Sequence, residues 1–518
     1  MKTKSNTLLF ITLLGGILHT FLFWNENLAL NLLIYSLFII SATVINTDIV
    51  KSRKFYLYGF MQLFAAIMVV LNNSDLSIIA YFISMLTFIG FAHYEKIRTI
   101  FVAVLAASLQ IIVIPSSLIK KLSEIKIGSY SLKPVFRLTK YLILPILIVM
   151  VFTGIYSSAN EVFNQYLNSF VDQFSIIFNQ LFGFIFQYLS LSRLFHLCFG
   201  LLLTGGLIIT FHNRSIEKAE SGYLEQLFRT KRTNRNISMW YEFARTFSGQ
   251  TLNRKLALKT EYITGIVSFV ALNVLLFIVN TIDVFTLWFN YKPTGRFAAD
   301  LHGGTNALIF SIVLAMAVIL YFFRKNLNFY SKSKILRTLA YIWMIQNFIL
   351  IISVLIRDGY YIEYYGLTHK RIGVMVFAVL CIVGLSTVYL KVAKQKTLFY
   401  LFKVNGNIWF MLLLVFSAAN WDILIVKYNL VHKDSIVFDA NYLLSLSDKA
   451  LPILDQNRNV ISNNEPSLNE VDRSNGSLTK LEKLDRRIEY FKYRYSTESW
   501  KSWNLPEWNA AKYFGLNK

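Results

Sequence analysis

The chain has 518 residues and a formal net charge of +23, and 55% of its residues are hydrophobic and 16% aromatic. A mean hydropathy of +0.48 is too high for a water-soluble protein of ordinary surface composition. The excess of Lys and Arg lies mainly in short loops beside apolar segments, a pattern typical of cytoplasmic membrane anchoring. The composition therefore predicts a lipid bilayer as partner and argues against binding of nucleic acid.

Apolar windows follow one another along most of the chain, and each is close to the length that a helix needs to cross about 30 Å of hydrocarbon. The twelve windows are Leu8–Trp24, Leu28–Ile45, Tyr56–Leu71, Leu76–Ala92, Thr99–Leu118, Tyr141–Tyr156, Leu194–Phe211, Tyr262–Phe289, Ala307–Phe323, Leu339–Leu355, Ile372–Leu390 and Leu398–Phe416. Polar residues interrupt the stretch Phe170–Leu191, which is interpreted as an interfacial helix. The sequence predicts an all-α fold, a polytopic transmembrane helical bundle of about 11–13 spans over residues 1–426.

The second half of the chain can be oriented because Lys and Arg are favoured on the cytoplasmic side. The basic segments that we predict to be cytoplasmic are residues 212–259, 324–337 and 391–396. The loops at 290–306 and 357–371, and everything after Phe416, are then predicted to face outward.

The first half carries two basic clusters whose positions conflict. Residues 51–54 and residues 120–140 both favour the cytoplasm, but three apolar windows separate them. Either the window Thr99–Leu118, which contains Pro115, does not span, or the N-terminus lies outside and the weaker cluster is overridden. The sequence leaves the side of residue 1 open.

Residues 427–518 differ in composition and predict a soluble helical C-terminal tail. The tail is divided into apolar residues at helical spacing over 441–454, a polar linker over 456–477, a charged amphipathic helix over 478–493, and an aromatic segment with Trp500, Trp503 and Trp508. We expect the tail to rest on the membrane surface, outside the cytoplasm. A protein partner that binds the tail is a further expectation.

The sequence lacks the usual catalytic and phosphate-binding motifs. It contains no Walker A loop, Gly-x-Gly-x-x-Gly, Gly-x-Ser-x-Gly, His-Glu-x-x-His or Cys-x-x-Cys segment. An enzymatic role is therefore disfavoured, and no cofactor is predicted.

Polar residues cluster at three places on the predicted outer face, and together they form the candidate site. The candidate residues are Asp300, His302, Thr305, Glu363, Thr368, Arg371, Asp422 and Asn429. Each cluster also has a local interpretation as a helix cap, a solvated loop or an interfacial anchor. Taken together they indicate a polar pocket, whereas their spacing is too loose to predict a metal site.

Four segments carry a resemblance to a known family. They are Leu301-His-Gly-Gly-Thr305, Tyr365-Gly-Leu-Thr-His-Lys-Arg371, Asn420-Trp-Asp-Ile-Leu-Ile-Val-Lys-Tyr-Asn-Leu430 and Tyr442-Leu-Leu-Ser-Leu-Ser-Asp-Lys-Ala-Leu-Pro452. With these segments, over roughly Glu261 to Leu454, the chain resembles the uncharacterised bacterial multi-pass membrane family, domain of unknown function 4153/4173 type. The first segment departs from the His-Glu-Gly pattern of that family and lacks its acidic residue. The resemblance implies a bacterial inner-membrane location and no known activity, and it transfers no catalytic residue.

The sequence thus predicts a non-enzymatic sensor, scaffold or envelope-interaction protein. A transporter is the first alternative, and it would need polar residues that converge at the middle of the bilayer. A membrane enzyme acting on lipid or glycan carriers is the second, and it would need the outer carboxylates within catalytic reach of one another.

Overall fold

The computed structural model describes residues 2–123, 126–127, 130–131, 145–146, 148–154, 156–186, 190–209, 214–228, 254–289, 297–324, 326–330, 332–462 and 478–516. Helices dominate these residues, which confirms the predicted all-α class. Two strands of two residues each, β1 (Lys126–Ile127) and β2 (Tyr130–Ser131), pair in antiparallel orientation. The chain divides into two compact units, each described separately below.

The first unit comprises Met1–Glu220, Phe416–Ala418 and Thr497–Pro506. Its helices are α1 (Lys2–Phe23), α2 (Leu30–Ile45), α3 (Arg53–Asn72), α4 (Asp75–His93), α5 (Ile100–Ser123), α6 (Glu161–Phe186) and α7 (Leu191–Ile208), and α8 (Arg214–Ser221) ends at the boundary to the second unit. Helix α1 packs against α7, and α4 packs against both α3 and α5.

Local signals explain where the helices of the first unit begin. Ser52 and Ser190 cap α3 and α7 by accepting hydrogen bonds from backbone N–H groups of the first turn. Ser74 and Ser77 form a reciprocal capping box at the start of α4.

The C-terminal end of α7 is buried, and side chains from other helices satisfy its last carbonyl groups. Gln110 of α5 donates to the carbonyls of Gly206 and Ile209, at 2.7 and 2.8 Å. Asn46, which follows α2, donates to the Ile208 carbonyl at 2.9 Å. Since a buried helix end without partners is costly, these bonds fix α7 against α2 and α5.

The second unit comprises Ser221–Val415, Ala419–Ser496 and Glu507–Lys518. Its longer apolar helices are α9 (Arg254–Asp283), α10 (Phe297–Phe322), α11 (Lys334–Tyr365), α12 (His369–Ala393) and α13 (Leu398–Ser417), and α9 continues as a π-helical segment (Val284–Phe289). The helices that follow are α14 (Trp421–Val431), α15 (Ala440–Ser445), α16 (Leu451–Gln456), α17 (Arg458–Ser462), α18 (Lys480–Thr497) and α19 (Leu505–Tyr513). The last residues of α13 and α18 and the first residues of α19 belong to the first unit. Short 3-10 turns lie at Asn326–Phe329, Asp448–Ala450 and Trp500–Ser502.

Among the described residues, seven helices are long and apolar enough to cross a membrane. They are Arg53–Asn72, Asp75–His93, Leu191–Ile208, Leu258–Phe289, Lys334–Tyr365, His369–Ala393 and Leu398–Ser417. Shorter apolar helices cover Thr7–Phe23, Leu30–Ile45, Ile100–Pro115, Ile148–Ala159 and Ala307–Phe322. Each of the predicted apolar windows therefore overlaps a helix. Only 17% of the most apolar part of Leu258–Phe289 is buried within the protein, which suits a helix surrounded by hydrocarbon.

Helix α10 begins earlier than the sequence indicates. The sequence predicts that the segment from His302 to Asn306 precedes a helix starting at Ala307, but the helical backbone already begins at Phe297. Unpaired backbone groups are costly next to hydrocarbon, so a membrane helix continues through glycines that would end a helix in water.

Polar residues within the spans of the second unit bond to one another. Asn273 of α9 accepts a bond from Gln346 of α11 at 2.9 Å, and Asn280 donates to the Gln346 carbonyl at 2.9 Å. Asp283 is buried and forms an ion pair with Arg357 of α11. These contacts hold α9 against α11.

Candidate functional site at the turn between α11 and α12

The tight turn that joins α11 to α12 needs a glycine at its first position. Gly366 has a φ of +76°, and an added Cβ would overlap the side-chain oxygen of Asn429. Thr368 then caps α12 by accepting a bond from the Arg371 backbone N–H. The Gly-Leu-Thr segment is thus explained by the geometry of this turn.

The amide of Asn429, on α14, clamps this turn with two bonds. Its Oδ1 accepts from the Leu367 N–H at 2.6 Å, and its Nδ2 donates to the Leu367 carbonyl at 2.9 Å. The N–H of Val437 also donates to the Tyr364 carbonyl at 2.7 Å. The residues that follow α13 therefore hold the end of the α11–α12 hairpin.

Arg371 reaches back from the first turn of α12 over the same turn. Its guanidinium donates to the carbonyls of Tyr365, at 2.9 Å, and Gly366. It also lies 4.3 Å from the ring centre of Tyr361, a cation–π contact. Asp358 is buried nearby on α11 and interacts electrostatically with Arg371.

A chain of hydrogen bonds links His369 to the tail. Its Nε2 lies 2.9 Å from Oδ1 of Asp422, and its Nδ1 lies 3.2 Å from the hydroxyl of Tyr442. The same hydroxyl accepts from the backbone N–H of His369 at 3.0 Å. Ser447 donates to Asp422 through both its N–H, at 3.2 Å, and its hydroxyl.

The environment of Asp422 holds this carboxyl in its charged form. Burial by itself raises the pKa of Asp422, but the hydrogen bonds from His369 and Ser447 and the charge of His369 outweigh burial and lower the pKa to about 2. Burial also raises the pKa of the neighbouring Tyr442 hydroxyl.

A cavity of about 310 Å³ opens beside these contacts, and we call it the hairpin pocket. Its lining residues are Tyr365, Thr368, Arg371, Asn429, Ile436, Val437, Phe438, Asp439, Ala440, Tyr442 and Lys480. One wall is the α11–α12 turn, and the other is formed by the segment before α15 and by the first residue of α18. The volume lies at the lower end of the range of about 300–1,000 Å³ for small-molecule sites.

The tail wall of the pocket rests on a hydrophobic core of its own. Apolar residues of α14, α15, α16, α18 and α19 form one buried cluster, against which Leu367 and Ile372 of the α11–α12 turn also pack. Arg487 of α18 ties this cluster together by donating to the carbonyl of Leu446, at 2.7 Å, and to Asp448, at 2.6 Å. The wall is therefore a packed structure.

Four of the candidate residues lie together around this turn. Thr368, Arg371 and Asn429 line the hairpin pocket, and Asp422 is connected to them through His369. Glu363 is exposed on the last turns of α11 and does not line the pocket. The side chains of the remaining candidates, Asp300, His302 and Thr305, lie outside the described residues, although their backbone belongs to α10.

Sequence reasoning misses the residue that connects the site. It places His369 in one of the three polar clusters of the predicted outer face, but its candidate residues include neither His369 nor Tyr442 and Ser447. His369, Tyr442 and Ser447 all occur in the segments that carry the family resemblance, and membership in these segments is the sequence signal that could have identified them. Two of these segments meet where His369 contacts Tyr442, although the two residues are 73 positions apart in the sequence.

The arrangement is a clamp rather than a catalytic triad. A serine nucleophile must give its proton to the imidazole, but the hydroxyl of Ser447 donates to Asp422 instead. Among the described residues, no group of three His, Cys, Asp or Glu side chains could hold a metal ion.

The fold and this site define a helical, multi-pass membrane protein in which the C-terminal region clamps a hairpin of two apolar helices. The chain belongs to the family described as "Domain of unknown function (DUF4153)", whose family model matches residues 58–457. The match confirms the family resemblance and extends it into the first half of the chain, from α3 onward. No curated protein and no solved structure gives a significant match.

Proposed function

We propose that this protein is a non-enzymatic sensor of the bacterial inner membrane, and that the hairpin pocket is its ligand site on the extracytoplasmic face. The observation that carries the proposal is the composition of the pocket walls. Tyr365 comes from the end of α11 and Arg371 from the start of α12, whereas residues 436–440, Tyr442 and Lys480 come from the tail. A ligand in the pocket would touch both parts and change the free energy of their contact.

The distribution of charge supports the outward orientation of the pocket. Helix α11 follows the basic segment 324–337, and α12 leads to the basic segment 391–396. When these segments are cytoplasmic, the turn at Gly366 faces the other side of the membrane.

The alternatives have less support from the described residues. For a transporter, the polar residues Asn273, Asn280 and Gln346 would have to contact cargo, but they bond to one another across α9 and α11. For an enzyme acting on lipid or glycan carriers, two carboxylates would have to act on one substrate. Asp422 is hydrogen-bonded to His369 and Ser447, and Glu363 is exposed and does not line the pocket.

Native mass spectrometry of the full-length protein, purified from its own membrane, tests the proposal because it detects a bound molecule of any identity by its mass. Val437 lines the pocket with 64% of its surface exposed, so Val437→Trp would fill the entrance without disturbing the buried core. We expect wild type to carry a bound small molecule that Val437→Trp loses and that the control Glu363→Gln keeps. A wild-type protein without bound ligand, or a ligand retained by Val437→Trp, would contradict the proposal. Fusions of alkaline phosphatase and of green fluorescent protein after residue 434 would test the predicted side.

A further inference from the structure

Helix α18 shows two different faces. Its apolar face, with Leu484, Ile488 and Phe491, is buried in the tail core. Its opposite side is exposed and carries a stripe at helical spacing, formed by Lys483, Arg486, Tyr490 and Tyr493. We call this set the docking stripe.

The docking stripe combines features of a membrane-interface surface. Tyr490 and Tyr493 are 64% and 70% exposed, although large aromatic side chains are usually covered. Two exposed cations, Lys483 and Arg486, precede them on the same face. Tyrosines at the headgroup level and cations that attract anionic lipids characterise helices that lie on a bilayer.

Helix α18 lies close to the ends of two apolar helices. Along its length, it packs in the core that also receives Leu367 and Ile372 from the turn between α11 and α12. Both of those helices are long and apolar enough to cross a membrane, so a turn between them belongs at the surface of the bilayer.

Acidic residues on the neighbouring face of α18 have local roles that reduce their repulsion of anionic lipid. Glu482 closes a capping box, since its carboxylate accepts from the Thr479 N–H at 2.7 Å. Asp485 forms an ion pair with Arg458 at 2.6 Å. Glu489 is exposed on the same face as Glu482 and Asp485, next to the face that carries the docking stripe.

We propose that the docking stripe of α18 binds the anionic phospholipid headgroups of the bilayer that the protein spans. The complementary charge of Lys483 and Arg486 selects anionic over zwitterionic lipid, and the two tyrosines insert at the headgroup level. This surface is separate from the hairpin pocket, so either proposal can fail without the other.

The test uses the full-length protein in nanodiscs, with a spin label at Tyr490→Cys in a Cys198→Ser background. The label replaces one ring and retains both cations, and the remaining native cysteine, Cys381, is buried. We expect the label to become more accessible to oxygen and less accessible to a water-soluble nickel chelate when phosphatidylglycerol is mixed into phosphatidylcholine. Increasing salt should weaken this difference.

Charge removal on α18 provides the matched comparison. Arg486→Gln should lower the ratio of docked to undocked label about fivefold, the effect of losing one cation near an anionic surface. Lys492→Gln removes the same charge from the other exposed side of the helix and should leave the ratio unchanged. Equal accessibility in both lipids would overturn the proposal and leave the stripe to solvent or to a protein partner. An equal effect of the two variants would overturn it as well.

Discussion

Asp422→Asn is the change that we expect to loosen the clamp most directly. The carboxylate accepts bonds from His369 on α12 and from Ser447 in the tail, so it joins the α11–α12 turn to the wall of the hairpin pocket. Replacement by an amide removes the charge and one of the acceptor oxygens while keeping the shape. The expected consequence is local opening of residues 439–448 without unfolding of the membrane helices.

The magnitude follows from the pKa of Asp422. Its fall to about 2, from an ordinary value of about 3.9, corresponds to about 2–3 kcal/mol at neutral pH. His369 is half exposed, so solvent screening reduces this to about 1–2 kcal/mol. Because the folded-state pKa is lowered, this contribution is present above about pH 4 and is lost as the pH falls towards 2.

Hydrogen exchange with mass spectrometry of the full-length protein in nanodiscs is the suitable assay, because local opening is measured peptide by peptide. A loss of about 1–2 kcal/mol should speed exchange of residues 439–448 about 5- to 30-fold at neutral pH. Asp434→Asn, at an exposed carboxylate on the loop before α15, is the control and should leave exchange unchanged. If Asp422→Asn exchanges like wild type, or like the control, the hydrogen-bonded chain does not hold the tail.

Further changes test other parts of the fold. Gly366→Ala should destabilise the α11–α12 turn by about 1–3 kcal/mol, because its φ is positive and its Cβ would overlap the amide clamp; Gly359→Ala, which meets no atom, should stabilise α11 by about 0.5–1 kcal/mol. Thermal unfolding of the two variants in one detergent should therefore shift in opposite directions. Glu26→Gln should speed hydrogen exchange of residues 497–506, corresponding to about 1–2 kcal/mol, because three side chains of that segment bond to this carboxylate. Burial by itself raises the pKa of Glu26, but those bonds outweigh burial and lower the pKa below its ordinary value. The protection of residues 497–506 in wild type should therefore persist at neutral pH and disappear as acid protonates Glu26. Glu95→Gln, at an exposed carboxylate, is the control.

The helices are predictable from the sequence because the physics that determines them is local. Apolar windows of about bilayer length form helices in hydrocarbon, where every backbone polar group must be paired internally. The residues at which helices begin are harder to predict from the sequence. The glycines beside His302 suggest a break before Ala307, yet α10 runs through them from Phe297.

The candidate site is predictable only in part because its contacts are not local. Hydropathy and charge predict that Thr368, Arg371, Asp422 and Asn429 lie on one side of the membrane, but proximity along the chain gives no indication of their partners. His369 finds Tyr442 and Asp422 only when α14 and the tail fold onto the turn. The need for glycine at position 366 is likewise set by the approach of Asn429, which the sequence alone does not reveal.

Convergence of three family segments, at 365–371, 420–430 and 442–452, is the central claim, and a disulfide between Asp422→Cys and Ser447→Cys tests it most directly. The two side chains are in contact, so oxidation in native membranes of a Cys198→Ser protein should join them. The resulting linked peptide should appear by mass spectrometry in high yield. The pair Glu363→Cys and Ser447→Cys is the control and should stay reduced, since Glu363 is exposed and does not line the pocket. A linked control pair together with an unlinked pair at 422 and 447 would contradict the arrangement of the site.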